Sequence, residues 1–172
     1  MESPRLSLTE WAVLTALTER PAHPFAVARL LAEDGELGRV LTVRRPLVYR
    51  AFARLEATGL CRADHTEPGE GGPERTVYRA TTRGRRLIAK WLSQPVTHVR
   101  DLRLEFLLKV RLTVRAGGSP LPLIESQRAA LAAAFAVLAG VREDTDEVGL
   151  WRRHSAAAAK AFLDDLAGRW RG

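Results

Sequence analysis

Arginines are concentrated in one stretch of the chain, residues 42–60, which is also the stretch best equipped to bind a partner. Four apolar residues recur there at intervals of three and four, which predicts a helix with one face on a core: Val48, Ala51, Phe52 and Leu55. The remaining positions carry side chains that can bind anions: Arg44, Arg45, Tyr49, Arg50 and Arg54. Cations at the N-terminal end of a helix oppose its dipole. An anionic partner therefore explains these arginines better than helix stability does.

DNA is the anion that suits a row of arginines on a helix. Contacts from Lys and Arg to phosphates release counterions, and an arginine that bonds both acceptors of a guanine adds about 1–3 kcal/mol of discrimination. We therefore predict contacts to double-stranded DNA from the helix and from the segment after it: Arg44, Arg45, Tyr49, Arg50, Arg54, Arg75 and Arg79. The alternative for each arginine is a solvated charge or a salt bridge, which for Arg54 would involve the neighbourhood of Glu56.

The net charge of +7 is segregated along the chain. Residues 39–90 contain 12 Lys and Arg against 5 Asp and Glu, whereas the remainder contains 15 of each. A clustered basic excess is typical of proteins that bind nucleic acid or an anionic membrane surface. Within this region, Arg83, Arg85 and Arg86 are interpreted as a solvated helix face.

Residues for catalysis or metal binding are sparse. The four histidines, His23, His65, His98 and His154, do not have metal-ligand spacing. The glycines at residues 70–73 are not followed by the Lys-Ser/Thr pair of a phosphate-binding loop. We interpret the acidic residues at 143–147 as a polar turn between helices. The sequence therefore predicts neither an enzyme nor a metal or cofactor site.

The single cysteine and the hydropathy pattern place the chain among proteins of the cytoplasm. Cys61 has no partner for an intramolecular disulfide, and we expect a small buried residue rather than a redox sensor. The longest apolar run, residues 129–141, is short and broken by Gly140. No signal peptide precedes the first helix. We expect a cytoplasmic protein that does not enter a membrane.

Three short helices are predicted before the apolar pattern changes from a helical period to that of strands. Ser7 and Glu10 match a capping box that opens a helix over residues 7–19. A second helix covers residues 24–33, and the basic helix begins near Arg44 and stops at Gly59, which can take a positive φ. Strands over residues 60–65 and 76–80 then flank a Gly/Pro tip at residues 68–73. A hairpin directly after a basic helix is the arrangement of a winged helix.

The rest of the chain is predicted to be helical. Thr81 and Thr82 can cap a helix that ends before Pro95, and three further helices cover residues 100–115, 122–141 and 149–170. The fold class is mainly α with a small β-hairpin. We divide it into a winged helix-turn-helix domain, residues 1–95, and a helical domain, residues 96–172.

Several motifs resemble the PadR family of bacterial transcriptional regulators. They are Leu-Val-Tyr-Arg-Ala-Phe-Ala-Arg-Leu-Glu-Ala-Thr-Gly-Leu at residues 47–60, the hairpin, and Val-Tyr-Arg-Ala-Thr-Thr-Arg-Gly at residues 77–84. The resemblance covers residues 6–92, with looser similarity beyond. Two positions depart from the family pattern: Pro46 replaces a small polar residue, and Phe25 replaces a tyrosine. A proline is tolerated in the first turn of a helix because no hydrogen bond is lost there.

The resemblance implies a homodimeric repressor whose C-terminal helices form the dimer interface. It also implies a small aromatic effector bound among aromatic residues of that interface, for which the candidates are Trp91, Phe106 and Trp151. Ordinary core packing is the alternative for these three, since tryptophan and phenylalanine bury large areas.

Two other classes of protein fit a winged helix. One is a protein-interaction module without DNA binding, and the other is a protein that sequesters a small ligand. Neither requires a basic excess confined to residues 39–90, and the sequence therefore favours DNA binding.

Overall fold

A computed structural model describes residues 5–69, 72–140 and 146–172. Its contacts divide the chain into an N-terminal unit, Met1–Trp91, and a C-terminal unit, Leu92–Gly172. The division falls four residues before the one expected from the sequence. The elements in chain order are α1 Leu8–Glu19, α2 Pro24–Leu30, α3 Arg45–Ala57, β1 Cys61–Gly69, β2 Gly72–Ala80, α4 Thr82–Ser93, a 3-10 helix Val99–Arg103, α5 Glu105–Arg115, α6 Leu121–Gly140 and α7 Glu147–Arg171.

Helix α1 starts through the predicted capping box. The Ser7 hydroxyl accepts a hydrogen bond from the Glu10 amide at 3.3 Å, and the Ser7 amide donates to the Glu10 carboxylate at 2.6 Å. Each residue thus satisfies an amide that the helix leaves unpaired. The buried side of α1 includes Val13, Leu14 and Leu17, and the helix packs against α3.

Helix α2 ends at Leu30, three residues earlier than predicted. The chain then turns tightly, with the Gly35 amide bonded to the Ala32 carbonyl at 2.8 Å and the Leu37 amide bonded to the Leu30 carbonyl at 3.0 Å. A Cβ on Gly35 would lie 2.3 Å from the Arg29 carbonyl oxygen, so no side chain fits at this turn. The prediction failed because the turn depends on contacts that the local helical pattern does not contain.

Helix α3 follows the predicted pattern closely. Its first residue is Arg45, Pro46 lies in its first turn, and Val48, Ala51, Phe52 and Leu55 are buried. Gly59 has a φ of +67°, which confirms the predicted left-handed position after the helix. The Leu60 amide bonds to the Leu55 carbonyl at 2.8 Å, which closes the end of the helix.

The hairpin is longer than predicted. Strand β1 extends to Gly69, and β2 starts at Gly72, so the prolines assigned to a loose tip belong to the strands. A two-stranded sheet has only edge strands, whose outer sides need no amide donor, and proline is tolerated there. The pairing is antiparallel, with register irregularities near Asp64 and Pro68. The predicted tip residues 70 and 71 lie outside the described residues.

The helix after the hairpin begins as the sequence predicts. The Thr81 hydroxyl accepts a hydrogen bond from the Gly84 amide at 3.1 Å, which caps α4. A Cβ on Gly84 would lie 2.2 Å from the Leu60 carbonyl oxygen, so the start of α4 lies against the end of the α3–β1 connection. Element order and hairpin together make the N-terminal unit a winged helix-turn-helix.

The C-terminal unit is helical, but its first predicted helix is divided. A 3-10 helix, Val99–Arg103, precedes α5, where the sequence predicts one continuous helix over residues 100–115. Helices α6 and α7 pack along each other. Asp146 caps α7 by accepting from the Gly149 amide at 2.8 Å, whereas the preceding part of the predicted polar turn, residues 143–145, lies outside the described residues. The core of the unit consists of Val96, Leu102, Phe106, Val110, Leu123, Ile124, Leu131, Phe135, Ala156, Leu163 and Ala167.

Two buried polar side chains fix the segment that enters the C-terminal unit. The Gln127 amide accepts from the Val96 amide at 2.7 Å and donates to the Val96 carbonyl at 2.9 Å. The Lys109 ammonium group donates to the Gln94 carbonyl at 2.8 Å and pairs with Glu105 at 2.8 Å. Buried polar groups are tolerated when they are hydrogen-bonded. Among the helices of the described ranges, none is long and apolar enough to cross a membrane.

Candidate nucleic-acid interface

The face of α3 opposite the core is exposed and basic. Arg44, Arg45 and Arg50 are exposed, and Tyr49 is 42% exposed. Arg44 is the residue before the helix and forms no capping hydrogen bond with its side chain. Its charge and that of Arg45 therefore remain at the positive end of the helix dipole, where cations are least favourable without an anion nearby.

Two arginines of this face have no partner among the described residues. Neither Arg44 nor Arg50 forms an ion pair or a hydrogen bond with its guanidinium group in the described ranges. A guanidinium group has five N–H donors, all of which are then available to a ligand. These two side chains are the least constrained of the predicted DNA contacts.

Arg45 lies against aromatic rings. Its guanidinium carbon is 4.7 Å from the centre of the Phe25 ring and 5.6 Å from that of Tyr49, and its Nη2 lies 3.3 Å from the Tyr49 hydroxyl. Arg75 of β2 approaches the same Phe25 ring, at 5.7 Å. The structure thus brings together Arg45 and Tyr49 of α3 with Arg75 of the hairpin. They line a cleft of about 450 Å³, together with His23, Pro24, Phe25, Glu74, Thr76 and Tyr78.

The remaining two predicted contacts have acidic partners. The Nε of Arg54 lies 3.1 Å from a carboxylate oxygen of Glu10, not near Glu56 as the alternative interpretation supposed. The Nε of Arg79 lies 2.9 Å from a carboxylate oxygen of Asp64 on the neighbouring strand. Both side chains are still partly exposed, but part of their charge is neutralised within the unit.

Arginines at the start of α4 also have specific partners. Arg83 donates to the Thr58 carbonyl and Arg85 to the Thr18 carbonyl, each at 2.8 Å. These residues are exposed, as the interpretation of a solvated face requires, but their guanidinium groups hold neighbouring backbone. A second polar cleft of about 470 Å³ lies beside them, lined by Arg62, Arg79, Arg83 and Arg85 among others.

The three predicted effector residues lie in different surroundings. Trp91 belongs to the N-terminal unit, where it stacks on Trp11 with ring centres 4.7 Å apart. Phe106 is fully buried in the core of the C-terminal unit. Trp151 is 73% exposed. Trp91 and Phe106 are therefore each packed within their own unit, whereas Trp151 is available at the surface of the C-terminal unit.

Trp151 lines a cleft of the C-terminal unit. The cleft has a volume of about 760 Å³ and lies between the 3-10 helix with α5 and the first half of α7. Its lining is mainly apolar, with three arginines and one serine: Val99, Arg100, Leu102, Arg103, Leu104, Leu107, Trp151, Arg152, Ser155, Ala159 and Phe162.

Phe25 is the residue of the N-terminal unit whose role the sequence did not indicate. Its type was noted as a departure from the family pattern, but not its contacts with two predicted DNA-binding arginines. The local signal was an aromatic residue next to Pro24 at the start of α2. Among the described residues, no group of three or more His, Cys, Asp or Glu could hold a metal ion.

Comparison with known proteins agrees with the motifs of the N-terminal unit. Residues 13–90 match the family described as the transcriptional regulator PadR-like family. A probable transcriptional regulator of Mycobacterium tuberculosis (strain ATCC 25618 / H37Rv) is 28% identical over 92 residues, which are 54% of this chain and 47% of that protein. The chain therefore spans about half the length of the curated relative that it matches.

Two solved structures of Bacillus subtilis PadR are similar to this chain. The complex with operator DNA has 16% identity and a TM-score of 0.48, and the alignment covers 92% of this chain and 97% of that chain. The complex with p-coumaric acid has 14% identity and a TM-score of 0.46, with 96% and 100% covered. Through residues 13–90, this chain is similar to the PadR-like family of transcriptional regulators.

Proposed function

We propose that this protein is a sequence-specific DNA-binding regulator that acts as a homodimer in the cytoplasm and represses transcription until a small effector releases it. The observation that carries the proposal is the exposed basic face of α3, on which Arg44 and Arg50 have no partner in the described ranges. These free donors lie opposite a buried face that holds the helix on the core.

DNA contact by α3 follows from size and charge. An α-helix fits the major groove of B-DNA, which is about 12 Å wide, and bases there present paired acceptors that a guanidinium group can bond. We assign base contacts to Arg50 and Arg44, because their donors are not used within the protein. Arg45 and Tyr49, which contact each other and Phe25, are assigned to the DNA backbone together with Arg75 and Arg79 of the hairpin.

A second copy of the chain is the proposed partner of the C-terminal unit. Several large apolar side chains of α6 and α7 are exposed: Val137, Val148, Leu150, Trp151, Phe162 and Trp170. A monomer rarely leaves so many large apolar side chains on two neighbouring helices in water. Dimerisation would also give the two copies of α3 the two-fold symmetry that pseudo-palindromic operators require.

The cleft beside Trp151 is the proposed effector site. Trp151 and Phe162 supply aromatic surfaces, and Arg100, Arg103 and Arg152 supply positive charge at the same cleft. This combination suits a small aromatic molecule with an anionic group, and pockets for small molecules are typically apolar with few polar groups. Trp91 and Phe106 are left out of the proposal because each is packed in a core.

A gel-shift titration on the DNA upstream of the gene tests the proposal. The double variant Arg44→Ala/Arg50→Ala should lose most of its affinity, because two base contacts of about 1–3 kcal/mol each correspond to a loss of tenfold or more. The control is Arg111→Ala/Arg169→Ala, which removes the same charge from exposed positions of the C-terminal unit. Undiminished binding by the first variant would exclude α3 as the reading helix.

Two further measurements separate the alternatives. Light scattering measures the mass of the protein in solution, for which we expect that of a dimer. Candidate aromatic acids should change the tryptophan fluorescence of the natural chain through Trp151, and should not change that of Trp151→Phe. A ligand that changes fluorescence without changing DNA occupancy would indicate a sequestering protein. Salt-insensitive binding to a protein, without affinity for any duplex, would indicate a protein-interaction module.

A further inference from the structure

We propose that Phe25 is a positioning residue that holds Arg45 and Arg75 as a clamp for DNA backbone phosphates, so that the start of α3 and the hairpin bind the same stretch of backbone. The inference rests on the proposed function, because it assumes that α3 enters a DNA groove. It adds a residue that does not itself bond to DNA but orients Arg45 and Arg75, which the proposed function already assigns to the DNA backbone.

Three elements of the N-terminal unit meet at one ring. Phe25 is the second residue of α2, Arg45 is the first residue of α3, and Arg75 lies on β2. The guanidinium carbons lie 4.7 Å and 5.7 Å from the centre of the Phe25 ring, within the range of a cation–π contact. No other aromatic ring of the described residues contacts arginines from both α3 and the hairpin.

The two guanidinium groups are held without being neutralised. Glu67 is the residue opposite Arg75 in the strand register, yet its carboxylate lies 3.7 Å from Nε2 of His23. In the described ranges, neither Arg45 nor Arg75 has a carboxylate partner. An aromatic face attracts a cation through its quadrupole but does not use up the N–H donors at the rim of the guanidinium group. Both arginines are therefore oriented and still able to bond to an anion.

The surroundings of the ring suit a phosphate. The cleft of about 450 Å³ is lined by Tyr49, Thr76 and Tyr78, which carry hydroxyl groups, together with the two arginines. Hydroxyl and guanidinium donors are among the groups that bond to DNA phosphates. Glu74 is the one carboxylate among the lining residues that the structure describes, and it is exposed. Its charge would oppose a phosphate, and Glu74→Gln should therefore strengthen DNA binding.

Substitutions of Phe25 make the role testable, because the proposal gives its ring no direct bond to DNA. Phe25→Leu removes the aromatic face and keeps an apolar side chain, whereas Phe25→Tyr keeps the face. Each phosphate contact contributes about 0.9 to the slope of log K against log salt. The double variant Arg45→Ala/Arg75→Ala should lose about 2 from that slope. Phe25→Leu should lose at least half as much, and Phe25→Tyr should keep the slope of the natural chain.

A mutant cycle separates positioning from general destabilisation. If Phe25 acts through the arginines, Phe25→Leu should cost no further affinity in the Arg45→Ala/Arg75→Ala background. A purely structural role would give the same added loss in both backgrounds, which would overturn the inference. Ethylation of single phosphates identifies the phosphates that the protein contacts, because ethylation there interferes with binding. The same positions should stop interfering in Phe25→Leu and in Arg45→Ala/Arg75→Ala, and the base preference should stay unchanged.

The outcomes also distinguish this inference from the proposed function. If the natural chain binds an operator and Phe25→Leu keeps its salt slope and phosphate contacts, the clamp is wrong while the regulator stands. If the natural chain binds no duplex at any salt concentration, the proposed function fails first. Circular dichroism and the unfolding midpoint of each variant establish that the compared proteins are folded.

Discussion

The Nε of Arg54 lies 3.1 Å from a carboxylate oxygen of Glu10, whose side chain is 4% exposed. The other carboxylate oxygen of Glu10 accepts hydrogen bonds from the amide and hydroxyl of Ser7. One buried carboxylate therefore caps α1 and holds the arginine of α3. This relationship makes Arg54 part of the scaffold that holds α3, whereas Arg50, four residues earlier, has no protein partner in the described ranges.

Arg54→Ala should destabilise the fold more than it weakens DNA binding. Hydrogen bonds to charged groups contribute about 1.5–3 kcal/mol, and because Arg54 is largely exposed we expect a loss of about 1 kcal/mol. Urea unfolding should show a lower midpoint with an unchanged slope. Arg50→Ala is the matched control and should stay within about 0.5 kcal/mol while it weakens DNA binding. The reverse pattern, with Arg54→Ala stable and unable to bind DNA, would contradict the assignment.

Gln127→Ala should be among the most destabilising substitutions in the C-terminal unit. It leaves the amide and the carbonyl of Val96 without their partners in a buried environment, and each unsatisfied group costs about 1–3 kcal/mol. Thermal unfolding measures the loss. Gln94→Ala is the control, because Gln94 contributes its backbone carbonyl to Lys109 and its side chain is exposed. Equal midpoints for the two variants would show that the Gln127 bonds do not stabilise the unit.

The ion pairs between α6 and α7 should make stability depend on pH in acid. Hydrogen bonds from Lys160 and Arg128 lower the pKa of Asp164. A carboxyl whose pKa is lower in the folded state stabilises the fold above its unfolded pKa, about 4 for Asp, and this contribution is lost as the pH falls through the folded pKa. Asp164→Asn should therefore lower the unfolding midpoint near neutral pH and have little effect in strong acid.

Asp165→Asn is the matched control for Asp164, since Asp165 is the next residue, exposed, and without a partner in the described ranges. High salt should shrink the difference between the two variants, because exposed charges are screened. Glu125 belongs to the same group of charges: its pKa is lowered by Arg128 and Arg171. A difference between the variants that persists undiminished in strong acid would show that charge is not its cause.

Cys61 should be unreactive in the folded protein. Burial, with a smaller contribution from Glu56, raises the pKa of the thiol to about 12. Only the thiolate reacts readily, and near neutral pH it is a negligible fraction. A thiol-specific reagent should label the native protein at least about a hundredfold more slowly than the unfolded protein, with Cys61→Ser as the blank. Fast labelling of the native chain would contradict this prediction and favour the interpretation of Cys61 as a redox sensor.

Local signals in the sequence predicted α1, α3 and the stop at Gly59. A capping box involves residues three apart, the apolar face of α3 repeats over two turns, and a glycine after a helix marks a left-handed position. The break between the 3-10 helix and α5 was missed because Leu102 and Phe106 are both buried on the same core. Periodicity alone does not show where packing interrupts a helix.

The candidate site was predictable residue by residue but not as an arrangement. The sequence indicated which arginines lie off the buried face of α3. It did not indicate that Arg54 pairs with Glu10, 44 residues earlier, or that Arg45 and Arg75 meet at Phe25. These partners come from different elements, and their proximity depends on how α1, α2 and the hairpin pack around α3. The composition gave the sign of the charge, and the fold determines which charges remain free.

Selection of bound fragments from a random pool of duplex DNA tests the central claim most directly, since it requires no known operator. The natural chain should enrich one pseudo-palindromic sequence whose half-sites lie about one helical turn apart, roughly 10–10.5 base pairs. Arg44→Ala/Arg50→Ala should enrich no common sequence, while Arg111→Ala/Arg169→Ala should select the same one as the natural chain. Enrichment of the same sequence by Arg44→Ala/Arg50→Ala, or of none by the natural chain, would contradict the account.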